Sequence, residues 1–171
     1  GGLGSPAAMY LAASGIGTLV LSDFDRVEPS NLQRQIIHHE SDIGELKASS
    51  AKRSLQEINA ACEVIALDWE LDAGELTREI GAADLVLDCT DNFATRLAVS
   101  DACVAIGVPL LSAAVGRFQG QIAAFAGHLD GQACYRCYVG DAFDNDECDT
   151  CADDGMLGAM AGWAGSFAAI Q

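Results

Sequence analysis

Positive charge is scarce in this chain. Lys and Arg total 9 of the 171 residues against 25 Asp and Glu, a formal net charge of −16 at pH 7. A field of that sign repels phosphate backbones, so nucleic acid is not an expected partner. Long apolar runs are missing as well. None approaches the ~20 uninterrupted apolar residues of a membrane span, and no basic n-region precedes an apolar one at the start. Neither a membrane partner nor a secretory signal is expected, and the chain reads as cytoplasmic. There is no initiator Met, GGLG at the start reads as the middle of a motif, and the last helical stretch reads as cut short. The expectation is a fragment truncated at both ends. No internal repeat or linker interrupts it. Its seven cysteines are an odd number, and without a secretory signal a disulfide framework is not expected.

Apolar bulk is plentiful. Half of the residues are hydrophobic, enough for one well-packed domain. GGLGSPAAMYLAASGIG reads as a Gly-rich turn and a helix, with Ser5 as N-cap, Pro6 at the first position and Gly15 at the exit. TLVLSD, EVIAL, DLVLDC, VPLLSA and GQIAAFAG are runs of strand length. Between them, Lys47 to Ile58, ELTREIG and Phe93 to Ile106 read as helices, as does the tail MLGAMAGWAGSFAAIQ. Strands alternating with helices predict an α/β fold: an open, mostly parallel Rossmann-like sheet flanked by helices, in a single domain over residues 1–171. The segment from about 134 to 155 carries seven acids between Asp141 and Asp154 and reads as a mobile, Cys-containing loop. Cys62, Cys89 and Cys103 sit singly among apolar residues and read as inert core thiols.

The few cations are clustered. Arg26, Arg34, Lys47, Lys52 and Arg53 all fall between residues 26 and 53, beside the polar stretch VEPSNLQRQ. Arg26, Lys52 and Arg53 read as a solvated face. Arg34 offers a planar fork of donors suited to phosphate, and Lys47 a compact point charge. Ser30, Asn31 and Gln33 add neutral donors, a mixture that suits a triphosphate whose leaving group gathers negative charge. Upstream, Gly1 and Gly4 fit the second and third glycines of a phosphate-binding turn before a helix. Asp23 closes the next strand, where an acid meets a ribose hydroxyl. These features point to a nucleotide without separating NAD from ATP. Asp91 and Asn92 follow the strand ending at Cys89. A carboxylate there can hold magnesium opposite phosphates, or it can cap the following helix.

GGLGSP, DFDRVEPSNLQRQ, GELKASSA, DLVLDCTDNFATR, GQI, CYRC and TCADDG occur in this order. Together they resemble the superfamily of enzymes that activate ubiquitin-like proteins, in its MoeB and ThiF class. The resemblance runs through nearly the whole chain, and SNLQRQ with CTDN is its most specific part. It implies an ATP site of Gly2, Asp23, Ser30, Asn31, Leu32, Gln33, Arg34, Lys47, Asp91 and Asn92. Asp91 would bind magnesium, and Arg34 and Lys47 would stabilise the leaving pyrophosphate. The implied reaction joins AMP to the C-terminal glycine carboxylate of a small ubiquitin-like sulfur-carrier protein ending in Gly-Gly, for molybdopterin or thiamine-thiazole synthesis. The class pairs as homodimers.

Cys134 and Cys137 match the first half of the family's structural zinc site, which needs two further thiolates. Cys148 with Cys151 is one source for them. Cys151 also resembles a reactive cysteine that forms a thioester or persulfide with the carrier in some relatives, and that reading is preferred for it. Cys148 stays open between the two. Arg96 and Arg117 lie in motif stretches and read either as contacts to the carrier's tail or as surface ion pairs. His38 and His39 have no partner at a useful spacing and receive no role. Three other functions remain: a tRNA threonylcarbamoyladenosine dehydratase-like enzyme, an NAD-dependent oxidoreductase, and a zinc-stabilised interaction domain.

Overall fold

The computed structural model describes residues 1–116, 118–140 and 156–171. In chain order the elements are α1 (Gly4–Ala13), β1 (Thr18–Ser22), α2 (Lys47–Ile58), β2 (Glu63–Leu67), α3 (Ala73–Gly81), β3 (Val86–Asp88), α4 (Phe93–Ile106), β4 (Leu110–Val115), β5 (Gly120–Phe125), α5 (Tyr135–Val139) and α6 (Gly158–Ala168). Two short 3-10 turns, Pro29–Asn31 and Glu40–Asp42, shape the connection between β1 and α2. By internal contacts the chain divides into two compact units. One holds Gly1–Glu70 with Leu157–Gln171, and the other Leu71–Met156.

In the first unit β1 and β2 pair in parallel, from Thr18 opposite Glu63 to Ser22 opposite Leu67, with α2 as the crossover between them. Parallel neighbours require such a crossover. Ala8, Ala12, Ile37, Ala51, Leu55, Cys62 and Val64 form the buried core. Helix α1 starts at Gly4, two residues earlier than a Ser5 cap with Pro6 at the first position predicts. Ser5 lies inside the first turn, where its hydroxyl donates to the Gly1 carbonyl at 2.8 Å. Pro6 also falls in that turn, where its missing N–H leaves no bond unmade. Small residues dominate α1, so α6 packs close on it. A Cβ at Gly165 would collide with the Leu3 carbonyl and stand 2.6 Å from Pro6 Cγ.

In the second unit β3 pairs in parallel with β4, and β4 in antiparallel with β5. The fold is therefore α/β and mostly parallel in its strand pairs, as expected, with one antiparallel strand added. Asp72 and Glu75 cap α3 reciprocally, at 2.8 and 3.0 Å, and Gly107 closes α4 in the left-handed conformation with φ 91°. Ile80, Val99, Cys103, Val108, Leu110, Phe125 and Tyr135 form this unit's core. Tyr135 corrects one expectation. The acidic composition predicts a mobile loop from about 134, yet Tyr135–Val139 is a short helix. The Tyr135 ring meets Phe125 edge-on at 5.7 Å, and one well-placed aromatic is enough to anchor a polar stretch.

Gly165→Ala tests the close approach of α1 and α6. Ala gains about 1 kcal/mol of helix propensity over Gly, but the added methyl meets backbone, which cannot swing aside. The expected result of denaturant unfolding is a net loss of about 1–2 kcal/mol; a more stable variant would contradict the packing.

Candidate functional site

The first unit gathers its site at the carboxyl end of β1. There the amino group of Gly1 lies 3.4 Å from Asp23 Oδ2. Asp23 Oδ1 accepts the Asp25 N–H at 3.1 Å, and Asp25 Oδ2 accepts from Lys47 Nζ at 2.7 Å. Lys47 is only 8% exposed. A buried ammonium needs a partner, and Asp25 supplies it. Lys47 also donates its backbone N–H to the Asp25 carbonyl at 2.8 Å, so the first residue of α2 is tied to the β1 end twice. On the other side, a Cβ at Gly2 would stand 3.3 Å from Arg34 Cγ and 3.5 Å from Cδ. Without that Cβ, the arginine stem lies directly against the glycine turn. Its Nη1 donates to the Ser30 carbonyl at 2.9 Å, with no carboxylate partner among the described residues. Arg34, Gly2, Gly1, Asp23, Asp25 and Lys47 thus form one continuous line of contacts.

The rest of the polar stretch builds the turn. Asn31 is buried, and its Oδ1 accepts the Glu28 N–H at 3.3 Å. Ser30 is exposed and donates to Glu28 Oε2 at 3.4 Å. Leu32 is half-buried and Gln33 exposed. A Cβ at Gly158 would collide with the Gln33 carbonyl, which seats this turn on the start of α6. Gln35, which sequence reasoning did not single out, is 3% exposed with its Oε1 unpartnered.

Behind this rim lies a buried network that no residue spacing signals. His38 Nδ1 is 2.8 Å from Ser50 Oγ, and Ser50 donates to Asp42 Oδ2 at 3.0 Å. Asp42 also accepts from the His39 N–H at 2.8 Å and from Arg53 Nη2 at 2.6 Å. Burial pushes the Asp42 carboxyl up, but the bonds from His39, Ser50 and Arg53 outweigh it and hold it below the ordinary range. Ser50 spends its one proton on that carboxylate, so His38 must donate through Nδ1–H. Burial foremost, with the positive charge of Lys47 adding to it, pushes His38 from 6.5 down to about 4 against the opposing pull of Asp42 and Asp23. Ser54 donates to the Ile37 carbonyl at 2.7 Å. Three side chains of α2 therefore staple the loop one to two turns beyond Lys47. Arg53, expected on a solvated face, is half-exposed and bridges Asp42 and Glu45.

In the second unit, Asp91 and Asn92 sit between β3 and α4. Asn92 caps α4, accepting the Thr95 N–H at 2.8 Å, so the cap considered for Asp91 belongs to its neighbour. Asp91 is exposed and makes no hydrogen bond among the described residues. Arg96 is not a surface ion-pairing residue. It is 7% exposed and donates to the carbonyls of Thr90 and Ala113.

The thiols divide by environment. Burial pushes Cys89 up to about 12 and Cys103 to about 11, which makes both inert. Cys134 is held below its usual value, chiefly by the Cys137 backbone N–H at its sulfur. The Cys134 and Cys137 sulfurs are 3.6 Å apart. Two thiolates ~2.3 Å from one zinc ion at tetrahedral corners stand about 3.8 Å apart, so the pair fits half of such a site. Among the described residues no group of three or more His, Cys, Asp or Glu is arranged to hold a metal. Cys148, Cys151 and Arg117 lie outside the described residues. No helix among the described residues is long and apolar enough to cross a membrane.

Comparison with known proteins places this geometry in a family. The ThiF family model matches residues 1–171. The chain is 45% identical to mouse adenylyltransferase and sulfurtransferase MOCS3, over all of this chain and 37% of that protein. It is 42% identical to the Escherichia coli molybdopterin-synthase adenylyltransferase, over all of this chain and 68% of the relative. Among solved structures, E. coli MccB with ATP superimposes with a TM-score of 0.82 at 24% identity, covering 99% of this chain and 51% of the other. The chain thus spans a little over a third of the MOCS3 relatives it matches.

His38 sets a pH dependence. Its folded-state value is depressed, so folding favours the neutral ring. The stability this contributes is complete above about pH 6.5 and is lost as pH falls toward 4, by up to about 3 kcal/mol. Urea unfolding at pH 7 and pH 4.5 should show that loss in the native sequence and much less of it in His38→Gln. An equal loss in both would refute the assignment.

Proposed function

This chain belongs to the ThiF family, and from that premise we propose that the protein is an ATP-dependent adenylyltransferase. Its substrate would be the C-terminal glycine carboxylate of a ubiquitin-like sulfur-carrier protein, activated for molybdopterin synthesis. The observation that carries the reading is the line from Arg34 through Gly2 and Asp23 to Lys47. A chain with a net charge of −16 places a buried ammonium and a guanidinium that has no carboxylate partner among the described residues on either side of a glycine turn, and Asp23 lies between them. That is the charge distribution a triphosphate requires. The names of the mouse and E. coli relatives, adenylyltransferases both, favour this reading over a dehydratase or a nicotinamide enzyme.

In the proposed reaction a carboxylate oxygen of the carrier attacks the α-phosphorus of ATP. The bond from that phosphorus to the bridging oxygen of pyrophosphate breaks, leaving an acyl-adenylate and pyrophosphate. Arg34 and Lys47 neutralise the charge that builds on the departing pyrophosphate. Asp23 accepts from a ribose hydroxyl, while the Gly2 turn, Ser30, Asn31, Leu32, Gln33 and Asn92 contribute to nucleotide binding. Asp91, an exposed carboxylate without a hydrogen bond among the described residues, fits a magnesium ion, which would supply charge neutralisation at the phosphates. Catalysis on these terms is positioning and electrostatics rather than covalent chemistry.

Cys134 and Cys137 would hold one side of a structural zinc ion, with a second pair of thiolates completing it. Cys151 is proposed as a thioester- or persulfide-forming residue. A homodimer and a cytoplasmic location belong to the same reading.

ATP–pyrophosphate exchange in the full-length protein, dependent on a carrier ending in Gly-Gly, is the test. Arg34→Ala, Lys47→Ala and Asp91→Ala should each lower it by about 10²-fold or more. Exchange that ignores the carrier, or that survives all three substitutions, would overturn the assignment. Zinc is checked separately. Elemental analysis should find about one zinc per chain, lost in Cys134→Ser with a fall in melting temperature; metal-free protein of unchanged stability would remove zinc from the reading.

A further inference from the structure

Thr90 has three polar groups, and every one is bonded. Its N–H donates to Asp88 Oδ1 at 2.9 Å and its hydroxyl to the same oxygen at 2.7 Å. Its carbonyl accepts from Arg96 Nη2, and the same nitrogen reaches the Ala113 carbonyl on β4 at 3.4 Å. Two residues farther on, Asn92 is fixed as the cap of α4. Asp91 lies between these two locked residues, exposed and bound to nothing among the described residues.

The arrangement is expensive for a mere turn. Asp88 is 3% exposed, and its second oxygen has no partner among the described residues. A buried guanidinium and a buried carboxylate with an orphan oxygen each carry a desolvation penalty that a packed apolar residue avoids. Stability alone therefore gives no reason to keep them. Geometry does, because Asp88 holds the Thr90 N–H and hydroxyl while Arg96 holds its carbonyl, which fixes the backbone from which Asp91 projects.

We propose that Asp88, Thr90 and Arg96 are positioning residues that hold the Asp91 carboxylate in place for the magnesium–nucleotide. The proposal rests on the assignment of Asp91 above. None of the three touches the reacting atoms. They act through Asp91, whose displacement by about 1 Å is enough to cost up to about 10²-fold in rate.

Thr90 provides the cleanest test. Thr90→Val keeps the shape and removes only the hydroxyl, Thr90→Ser keeps the hydroxyl and removes only the methyl, and Arg96→Lys keeps the charge but not the reach to two carbonyls. Each is made in the full-length protein beside Asp91→Asn. The measurements are exchange kcat, the KM for ATP, Mn2+ affinity by EPR in the presence of a non-hydrolysable ATP analogue, and melting temperature. The expected result is a kcat lowered at least about tenfold and Mn2+ binding weakened several-fold in Thr90→Val and Arg96→Lys. Their melting temperatures should fall by several degrees while the proteins stay folded at the assay temperature, and Thr90→Ser should recover both readouts. If Asp91→Asn abolishes exchange and Mn2+ binding while Thr90→Val and Arg96→Lys match the native protein, the positioning role is wrong and the site assignment survives. If Asp91→Asn itself exchanges and binds Mn2+ normally, the assignment fails and takes the proposal with it. A Thr90→Ser protein as impaired as Thr90→Val would show that the methyl, not the hydrogen bond, matters, and would overturn the proposal too.

Discussion

A buried ammonium determines how the first unit is built. Lys47 stands at 8% exposure at the first position of α2, 2.7 Å from an exposed Asp25. Removing that charge from water costs several kcal/mol unless a partner is held in place. Much of the surrounding structure does that holding. The Lys47 backbone N–H is bonded to the Asp25 carbonyl, and the Asp25 N–H is bonded to Asp23. Beyond Lys47, Ser50, Arg53 and Ser54 fasten α2 to the loop between Ile37 and Glu45. The helix cannot turn or slide without breaking this set, so the ammonium keeps its place at the β1 end. In a chain with nearly three acids for every base, charge placement rather than charge abundance makes an anion site.

The second unit reaches the same end with the opposite device. Asp91 is exposed and unbonded among the described residues, whereas its neighbours spend their polar groups on one another. Fixing the backbone at Thr90 and Asn92 leaves one carboxylate with its full capacity to accept. The first unit buries and pairs Lys47; the second leaves Asp91 exposed. In both, the ordering entropy is met during folding, so the charge is already held in place in the folded chain.

Much of this was legible in the sequence because it rests on local pattern. The period of α2, from Lys47 through Ala48, Ala51 and Leu55, and the Asp72–Glu75 cap are set by residues three or four apart. The strand runs EVIAL and GQIAAF recur in the structure with little change. The glycine turn with Asp23, and the cluster of Arg34 and Lys47, were legible because those residue types are rare in this chain and their chemistry is narrow. What escaped depends on contacts between distant residues. His38 and Ser50 are twelve residues apart and Arg96 and Ala113 seventeen, and neither spacing is a signal. Arg96 read as a surface charge because arginine is rarely buried, and only the two carbonyls waiting for it make the burial tolerable. Tyr135 was submerged in an acidic composition that says nothing of where one ring points.

The cysteines show why residue type alone could not assign chemistry. Cys89 and Cys103 follow the strands and helices of the core, and burial drives their thiols up to about 12 and about 11. Cys134 stands at the cap position of a helical turn, where the Cys137 and Arg136 backbone N–H groups face its sulfur and favour the thiolate. Gly127 makes that turn possible, since a Cβ there would come within 2.5 Å of Cys134 Cβ. Asp101 then holds Arg136 through two bonds of 2.7 Å and anchors the turn on α4. The C-x-x-C spacing only permits two sulfurs to converge. The backbone N–H groups that stabilise a thiolate, the absent side chain that lets the turn close and the ion pair that anchors it all lie outside the motif, and they are what separate a metal-ready pair from the inert thiols of the same chain.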